Sequence, residues 1–185
     1  LQLHDSANST QVELRLRLAK PVVRHGDDGL VQGTAGEDMF YYFSPRCVVE
    51  GTVTIDGVTE CVTDGSAWYD HEFGHGGQFT GHGDDERSRV SWDWIGAQLD
   101  NGWDLSIYCM VDDATGESCG RFAILVDPSG RAQRFTTCTF EGRAPWTSSK
   151  TFVEYPTARQ ISIPEAGLTL DARAAFHAQE LITMI

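Results

Sequence analysis

Residues 11–18 alternate without a break, with Val12, Leu14, Leu16 and Leu18 on one face and Gln11, Glu13, Arg15 and Arg17 on the other. A period of two is the mark of a strand with one face buried. Met39-Phe40-Tyr41-Tyr42-Phe43-Ser44 predicts an aromatic strand that Pro45 halts. Residues 51–55 and 58–62 flank Asp56-Gly57, the two-residue signal for a primed hairpin turn.

Beyond a polar stretch at residues 81–87 the alternation resumes. Val90, Trp92 and Trp94 share one strand face, and Ile95, Ala97 and Leu99 the other. Asp100-Asn101-Gly102 then turns the chain into Trp103, Leu105, Ile107, Cys109 and Val111. Asp112 to Gly116 and Asp127-Pro128-Ser129-Gly130 mark further turns around strands predicted at 121–126 and 131–140. Pro145, Pro156 and Pro164 punctuate the remainder, with strands near 159–163 and 168–173. Apolar residues nowhere recur at helical spacing for three turns. Short strands about ten residues apart, joined by tight turns, predict an all-β antiparallel sandwich or up-and-down barrel. The polar stretch is the best boundary, dividing the chain into units 1–85 and 86–185.

Composition narrows the partners. The 185 residues carry 27 acidic against 14 basic side chains, a formal charge of -13 that disfavours nucleic acid and anionic membrane surfaces. No apolar run reaches the length of a membrane span. A neutral or small partner fits better. The five cysteines Cys47, Cys61, Cys109, Cys119 and Cys138 form no C-x-x-C pair, so they are expected as buried free thiols, which weakly favours a reducing intracellular compartment. The chain begins without Met and stops within a hydrophobic run, so it is expected to be part of a longer polypeptide.

Ionisable groups concentrate at Gly65-Ser66-Ala67-Trp68-Tyr69-Asp70-His71-Glu72-Phe73-Gly74-His75. His71-Glu72-Phe73-Gly74-His75 fits H-E-x-x-H, which holds zinc only where a helix brings both imidazoles to one face. Glycines in and after the motif, and strands around it, remove that helix, so the pattern is read as a chance match in a strand-to-turn segment. A loop-borne metal site from His71, His75 and His82 competes with the reading of these residues as solvated loop histidines, which is the stronger, and no metal or other cofactor is expected. Asp70 has two readings. It either accepts backbone N–H bonds from a following turn, or stands desolvated between aromatic rings as a protonated general acid. No G-x-S-x-G, phosphate-binding glycine loop or paired-cysteine motif occurs, which leaves acid chemistry on an apolar substrate, or binding alone.

Gly65-x-Ala67-Trp68-x-Asp70-His71-Glu72-Phe73-Gly74, followed by Trp92-x-Trp94-Ile95-x-Ala97-Gln98-Leu99-Asp100-Asn101-Gly102, resembles the family of AttH-like and hydroxyneurosporene synthase (carotenoid 1,2-hydratase) proteins. Tyr41-Tyr42-Phe43-Ser44 with Gly51, Tyr155-Pro156, Ile163-Pro164 and Gln179-Glu180-Leu181 are further landmarks in the family's order, so the resemblance spans about Leu14 to Leu181. It implies two tandem lipocalin-like β units, and activities that include water addition to isoprenoid double bonds and, in fungal relatives, pericyclic ring formation. It also implies that Trp68 and Asp70 occupy the aromatic-x-Asp motif that supplies the acid. Where the hydratases carry His-x-Trp upstream, this chain has Tyr41-x-Phe43. The family's closing strands beyond Gln179-Glu180-Leu181 are missing, which implies a second unit completed by another chain or a continuation.

The resulting expectation is an enzyme that binds a hydrophobic isoprenoid- or polyketide-like molecule and hydrates or cyclises a double bond. Asp70 and Trp68 are its catalytic pair, and Tyr41, Tyr42, Phe43, His71, Trp92 and Trp94 contact the substrate. The alternative is a non-catalytic lipocalin-like binding or structural subunit.

Overall fold

The computed structural model describes residues 1–26, 28–32, 38–74, 90–112 and 115–181. The predicted alternation folds as antiparallel sheet throughout. β1 (Gln2–Asp5), β2 (Thr10–Leu18), β3 (Val23–Arg24), β4 (Leu30–Gln32), β5 (Asp38–Ile55) and β6 (Val58–Gly74) form a six-stranded sheet around the long β5. β7 (Val90–Gln98), β8 (Asp104–Asp112), β9 (Ser118–Val126) and β10 (Ala132–Phe135) form a four-stranded meander. β11 (Thr139–Thr147), β12 (Glu154–Ile163) and β13 (Leu168–Arg173) form a third, three-stranded sheet. Among the described residues no sheet closes into a barrel, and the helical content is one 3-10 turn at Pro164–Ala166. No helix among them is long and apolar enough to cross a membrane. The expected boundary near residue 85 lies outside the described residues.

Two strands run longer than the sequence pattern predicts. Pro45 does not halt β5; it sits within a register irregularity between Ser44 and Cys47, where a residue without an N–H is tolerated. A second irregularity follows between Val49 and Gly51, and there a Cβ on Gly51 (φ 146°) would lie 2.0 Å from the Glu13 carbonyl oxygen. The Asp56-Gly57 turn forms as expected, with φ of 51° and 79°. Its second arm then continues through the whole ionisable segment to Gly74, correcting the expected turn there. Conversely, the strand expected at 131–140 divides into β10 and the start of β11. Pro145 and Pro156 punctuate nothing: they face each other across β11 and β12, in a stretch where β13 is not paired.

The four-stranded sheet is the middle layer. Leu105, Ile107, Ala123 and Leu125 pack with Ile161 and Ile163 of the third sheet. On its other face, Ile124 and Val126 meet Val23 and Phe43 of the first sheet. β8 is therefore covered on both sides, and the one charge it buries is tied down. Asp104 is fully buried, and Arg46 donates to its Oδ1 from Nε (3.1 Å) and Nη2 (2.7 Å). Lys20 Nζ lies 2.7 Å from Oδ2 as a charge contact rather than an aligned hydrogen bond. The same cations reach backbone carbonyls: Lys20 those of Gly102 (2.6 Å) and Val126 (3.4 Å), Arg46 that of Leu99 (3.1 Å). Between the second and third sheets Arg159 forks onto Asp93 and lies 4.5 Å over the Phe140 ring.

Of the cysteines, Cys47, Cys109 and Cys138 are buried free thiols, whereas Cys61 is exposed on β6, which corrects the expectation for that residue.

Removing one member of a buried ion cluster strands the others without their counter-charge. Asp104→Ala is expected to lower unfolding free energy by about 3–5 kcal/mol, because Lys20 remains buried with no anion. Urea unfolding measures it, and a loss below about 1 kcal/mol would show that the cluster does not hold the layers together. Gly51→Ala is expected to destabilise as well, since any Cβ there meets backbone rather than a yielding side chain.

Candidate active site

Because β6 stays extended through Gly74, its side chains alternate between two faces. Trp68, Asp70 and Glu72 turn toward the middle sheet; Tyr69, His71 and Phe73 turn away. Register carries the same division onto β5, with Phe43 opposite Asp70, Tyr41 opposite Glu72 and Tyr42 opposite His71. Ring contacts follow it. On the inner face Phe43 stacks on Trp68 at 5.0 Å, and Trp68 meets Trp94 edge to face at 6.0 Å. On the outer face Tyr42 stacks on His71 at 5.3 Å, Phe40 on Phe73 at 5.3 Å, and the Tyr69 hydroxyl lies 3.0 Å from His71 Nδ1.

The expected site residues therefore separate into two groups. Tyr41, Phe43, Trp68, Asp70 and Trp94 converge; Trp92 lies on the same face of β7 as Trp94 and is 59% exposed. Tyr42 and His71 are on the opposite side of the sheet, away from Asp70. An imidazole and a carboxylate one residue apart in a strand cannot share a face, so Glu72 does not stand beside His71 as the general base that H-E-x-x-H requires. His75 and His82 lie outside the described residues, and no cluster of three metal-ligating side chains occurs within them.

Asp70 sits in mid-strand rather than before a turn, and among the described residues its carboxylate accepts no backbone N–H. Its Oδ1 accepts the Tyr41 hydroxyl at 3.1 Å. The indole N–H of Trp68 faces the same carboxylate, short of hydrogen-bond geometry, and is otherwise buried without an acceptor. Crowding by the rings pushes the Asp70 carboxyl above its ordinary range, outweighing the opposing pull of Tyr41 and Trp68, although one side of the residue remains open to solvent. Room for Trp68 comes from β7, where a Cβ on Gly96 would lie 3.1 Å from the Trp68 ring and 3.0 Å from that of Trp94.

Three polar groups of this face escaped the sequence pattern. Glu72 is shifted upward by desolvation and then by the Asp70 charge. Tyr108 of β8 is pushed up to about 12 by burial and then by Glu72. His25 is completely buried, stacked on Tyr41 at 3.8 Å and 9°. His25-Gly26-Asp27-Asp28-Gly29 has the composition of a turn, which does not announce a buried side chain. Backbone pairing folds that turn over β5 instead: His25 N donates to the Tyr41 carbonyl (3.0 Å) and Tyr41 N to the Gly29 carbonyl (2.9 Å). Gly26 (φ 64°) permits the close return, since a Cβ there would meet the Leu30 carbonyl oxygen at 2.0 Å. Two surface clefts elsewhere, one along Leu1, Glu13 and Glu50 and one around Arg121 and Cys138, lack the pairing of acid and aromatic rings.

Both ring nitrogens of His25 are buried without partners among the described residues, and burial, then the Arg134 charge, holds its pKa at about 4 against 6.5. The native state therefore keeps His25 neutral where the unfolded chain protonates it. Stability attributable to this residue is present above pH 6.5 and is lost as pH falls toward 4, by about 3 kcal/mol at most. His25→Phe keeps the stack and removes the titration. Urea unfolding at several pH values is expected to show a flatter slope for the variant between pH 6.5 and 4; an identical slope would contradict the buried neutral imidazole.

A family model described as AttH-like matches residues 1–185. Among solved structures, a protein assigned as AttH from Nitrosomonas europaea superposes with a TM-score of 0.71 at 25% identity, over 88% of this chain and 48% of its own. Kievitone hydratase from Nectria haematococca superposes with a TM-score of 0.74 at 18% identity, over 97% of this chain and 53% of its own; at that identity the likeness is one of fold. This chain thus spans about half the length of either protein. No curated protein matches it. Since the family model covers every residue, on a fold shared with both structures, the chain belongs to the AttH-like family.

Proposed function

We propose that this chain binds a hydrophobic isoprenoid- or polyketide-like molecule and that Asp70 donates a proton to one of its double bonds, leading to hydration or cyclisation. The observation that carries this reading is the Asp70 carboxyl itself: raised in pKa, hydrogen-bonded by Tyr41, and set beside Trp68 on an aromatic face that stays open to solvent. Protonating an alkene leaves a carbocation, which the faces of Trp68 and Trp94 stabilise through their quadrupoles; Phe43, wholly buried, backs Trp68 from behind. Kievitone hydratase, named for water addition, shares the fold, which is consistent with this chemistry.

A second reading is favoured by a specific contact. The Tyr41 hydroxyl occupies one Asp70 oxygen and favours its charged form, as in a carboxylate that merely holds two strands together. On that reading the chain is a lipocalin-like binding or structural subunit.

A general acid acts in its protonated form, so turnover is expected to be full below the folded pKa of Asp70 and to fall as pH rises through it, at a value above 3.8. Asp70→Asn is expected to slow hydration of citronellol by about 100-fold or more while leaving the circular dichroism spectrum and the affinity for an apolar fluorescent probe unchanged. Full activity in Asp70→Asn would remove the acid role. Native mass spectrometry that recovers an apolar ligand unchanged, with no product from added alkene, would instead support the binding subunit.

A further inference from the structure

Glu72 is the ionisable neighbour that Asp70, acting alone, leaves without a task. The two stand at i and i+2 on one strand face, about 7 Å apart along the backbone, so their side chains can converge on one water or one substrate bond. Two phenols adjoin the pair from other strands, Tyr41 from β5 and Tyr108 from β8, and each responds to the Glu72 charge. Among the described residues the groups packed against this face are Tyr41, Tyr108, Trp68 and, behind Tyr41, neutral His25; none is a cation. Two carboxylates with no counter-charge between them resist double ionisation.

We propose that Asp70 and Glu72 form a carboxyl dyad holding one proton, in which Asp70 delivers that proton to the alkene and Glu72 recovers one from the attacking water. The division of labour follows from position. Asp70 is the member adjoining Trp68, where a cation is stabilised; Glu72 lies one step further toward the end of β6, exposed to water. The π pair of the alkene forms a C–H bond with the Asp70 proton, leaving the adjacent carbon cationic. A water oxygen forms the C–O bond, and its surplus proton passes to Glu72. Transfer of that proton from Glu72 back to Asp70 restores the starting state, with one water consumed.

This rests on the acid role of Asp70, and its test separates the two. Carbon-13 titration of the carboxyl signals in the wild type is expected to show both residues responding in two steps. Glu72→Gln leaves Asp70 a single step at lower pH, and Asp70→Asn does the same for Glu72. Independent single steps, unmoved by replacement of the other residue, would overturn the dyad without any substrate. In heavy water with citronellol, Glu72→Gln is expected to lose hydration by about 100-fold yet still place deuterium in the recovered alkene, because the cation forms and collapses back. Asp70→Asn is expected to lose both. Hydration at the wild-type rate in Glu72→Gln overturns the role given to Glu72 alone, whereas deuterium exchange by Asp70→Asn overturns the acid role of Asp70.

Discussion

The layered arrangement depends on one buried charge. Asp104 lies at the start of β8, in the middle sheet, and has no route to solvent. It is tolerable there only because Lys20 and Arg46 arrive from the first sheet to neutralise it, and because both also satisfy carbonyls of the Leu99 to Gly102 turn and of Val126. An ion cluster of this kind contributes less net stability than an apolar contact of equal size, but it discriminates strongly against misplacement, since a shifted sheet leaves a charge unpaired. The clamp therefore fixes where β5 lies relative to β7 and β8. Gln98 continues the alignment, donating to the carbonyls of Pro45 (2.7 Å) and Ala67 (3.1 Å) across the same junction.

What that junction positions is the aromatic face. Phe43 precedes Pro45 by two residues, and Trp68 follows Ala67, so the contacts that dock the first sheet on the second lie one or two residues from the rings flanking Asp70. The middle sheet answers with a mixed face. Ile124 and Val126 are apolar where it meets Val23 and Phe43, while Ser106 accepts the Trp94 indole N–H at 3.3 Å. Its opposite face, toward the third sheet, is apolar at its centre, with charge at the margins, where Arg159 forks onto Asp93 and Arg121 donates to the Cys138 carbonyl. The candidate site and the larger of the two hydrophobic clusters thus occupy opposite faces of one sheet.

Much of the fold was legible because period-two alternation survives wherever one face is wet. The strand at 11–18 and the Asp56-Gly57 hairpin read correctly, as did the opposed faces of β7, with Trp94 on one side and Ile95 and Ala97 on the other, but Leu16 and Leu18 of the face expected to be buried stay exposed. Strand length was not legible. Pro45 and the glycines after Phe73 are punctuation in isolation, yet register irregularities absorb the first, and tertiary pairing with β5 carries β6 to Gly74. The site was half legible. Trp68 and Asp70 of the candidate site stand out by composition, whereas Glu72 was hidden inside an H-E-x-x-H match and His25 inside a turn whose glycines do not announce a fold-back over Tyr41.

The continuation of β6 is what selects among the chemistries that the ionisable segment could support. Were the segment a turn, His71, Glu72 and Asp70 could converge in many ways, metal binding included. As a strand it has two faces only, and alternation sends the carboxyls inward with Trp68 and the imidazole outward with Tyr42. The inner face therefore carries acids and aromatic rings with no cation among its described members, the composition needed to give a proton to an apolar double bond and to shelter the positive charge that results. The outer face has, among the described residues, stacked rings and the His71 imidazole bonded to Tyr69. A one-residue slip of β6 against β5 would exchange the two sets completely, so the hydrogen-bonded register from Met39 with Gly74 to Ser44 with Tyr69 is as much a part of the site as Asp70.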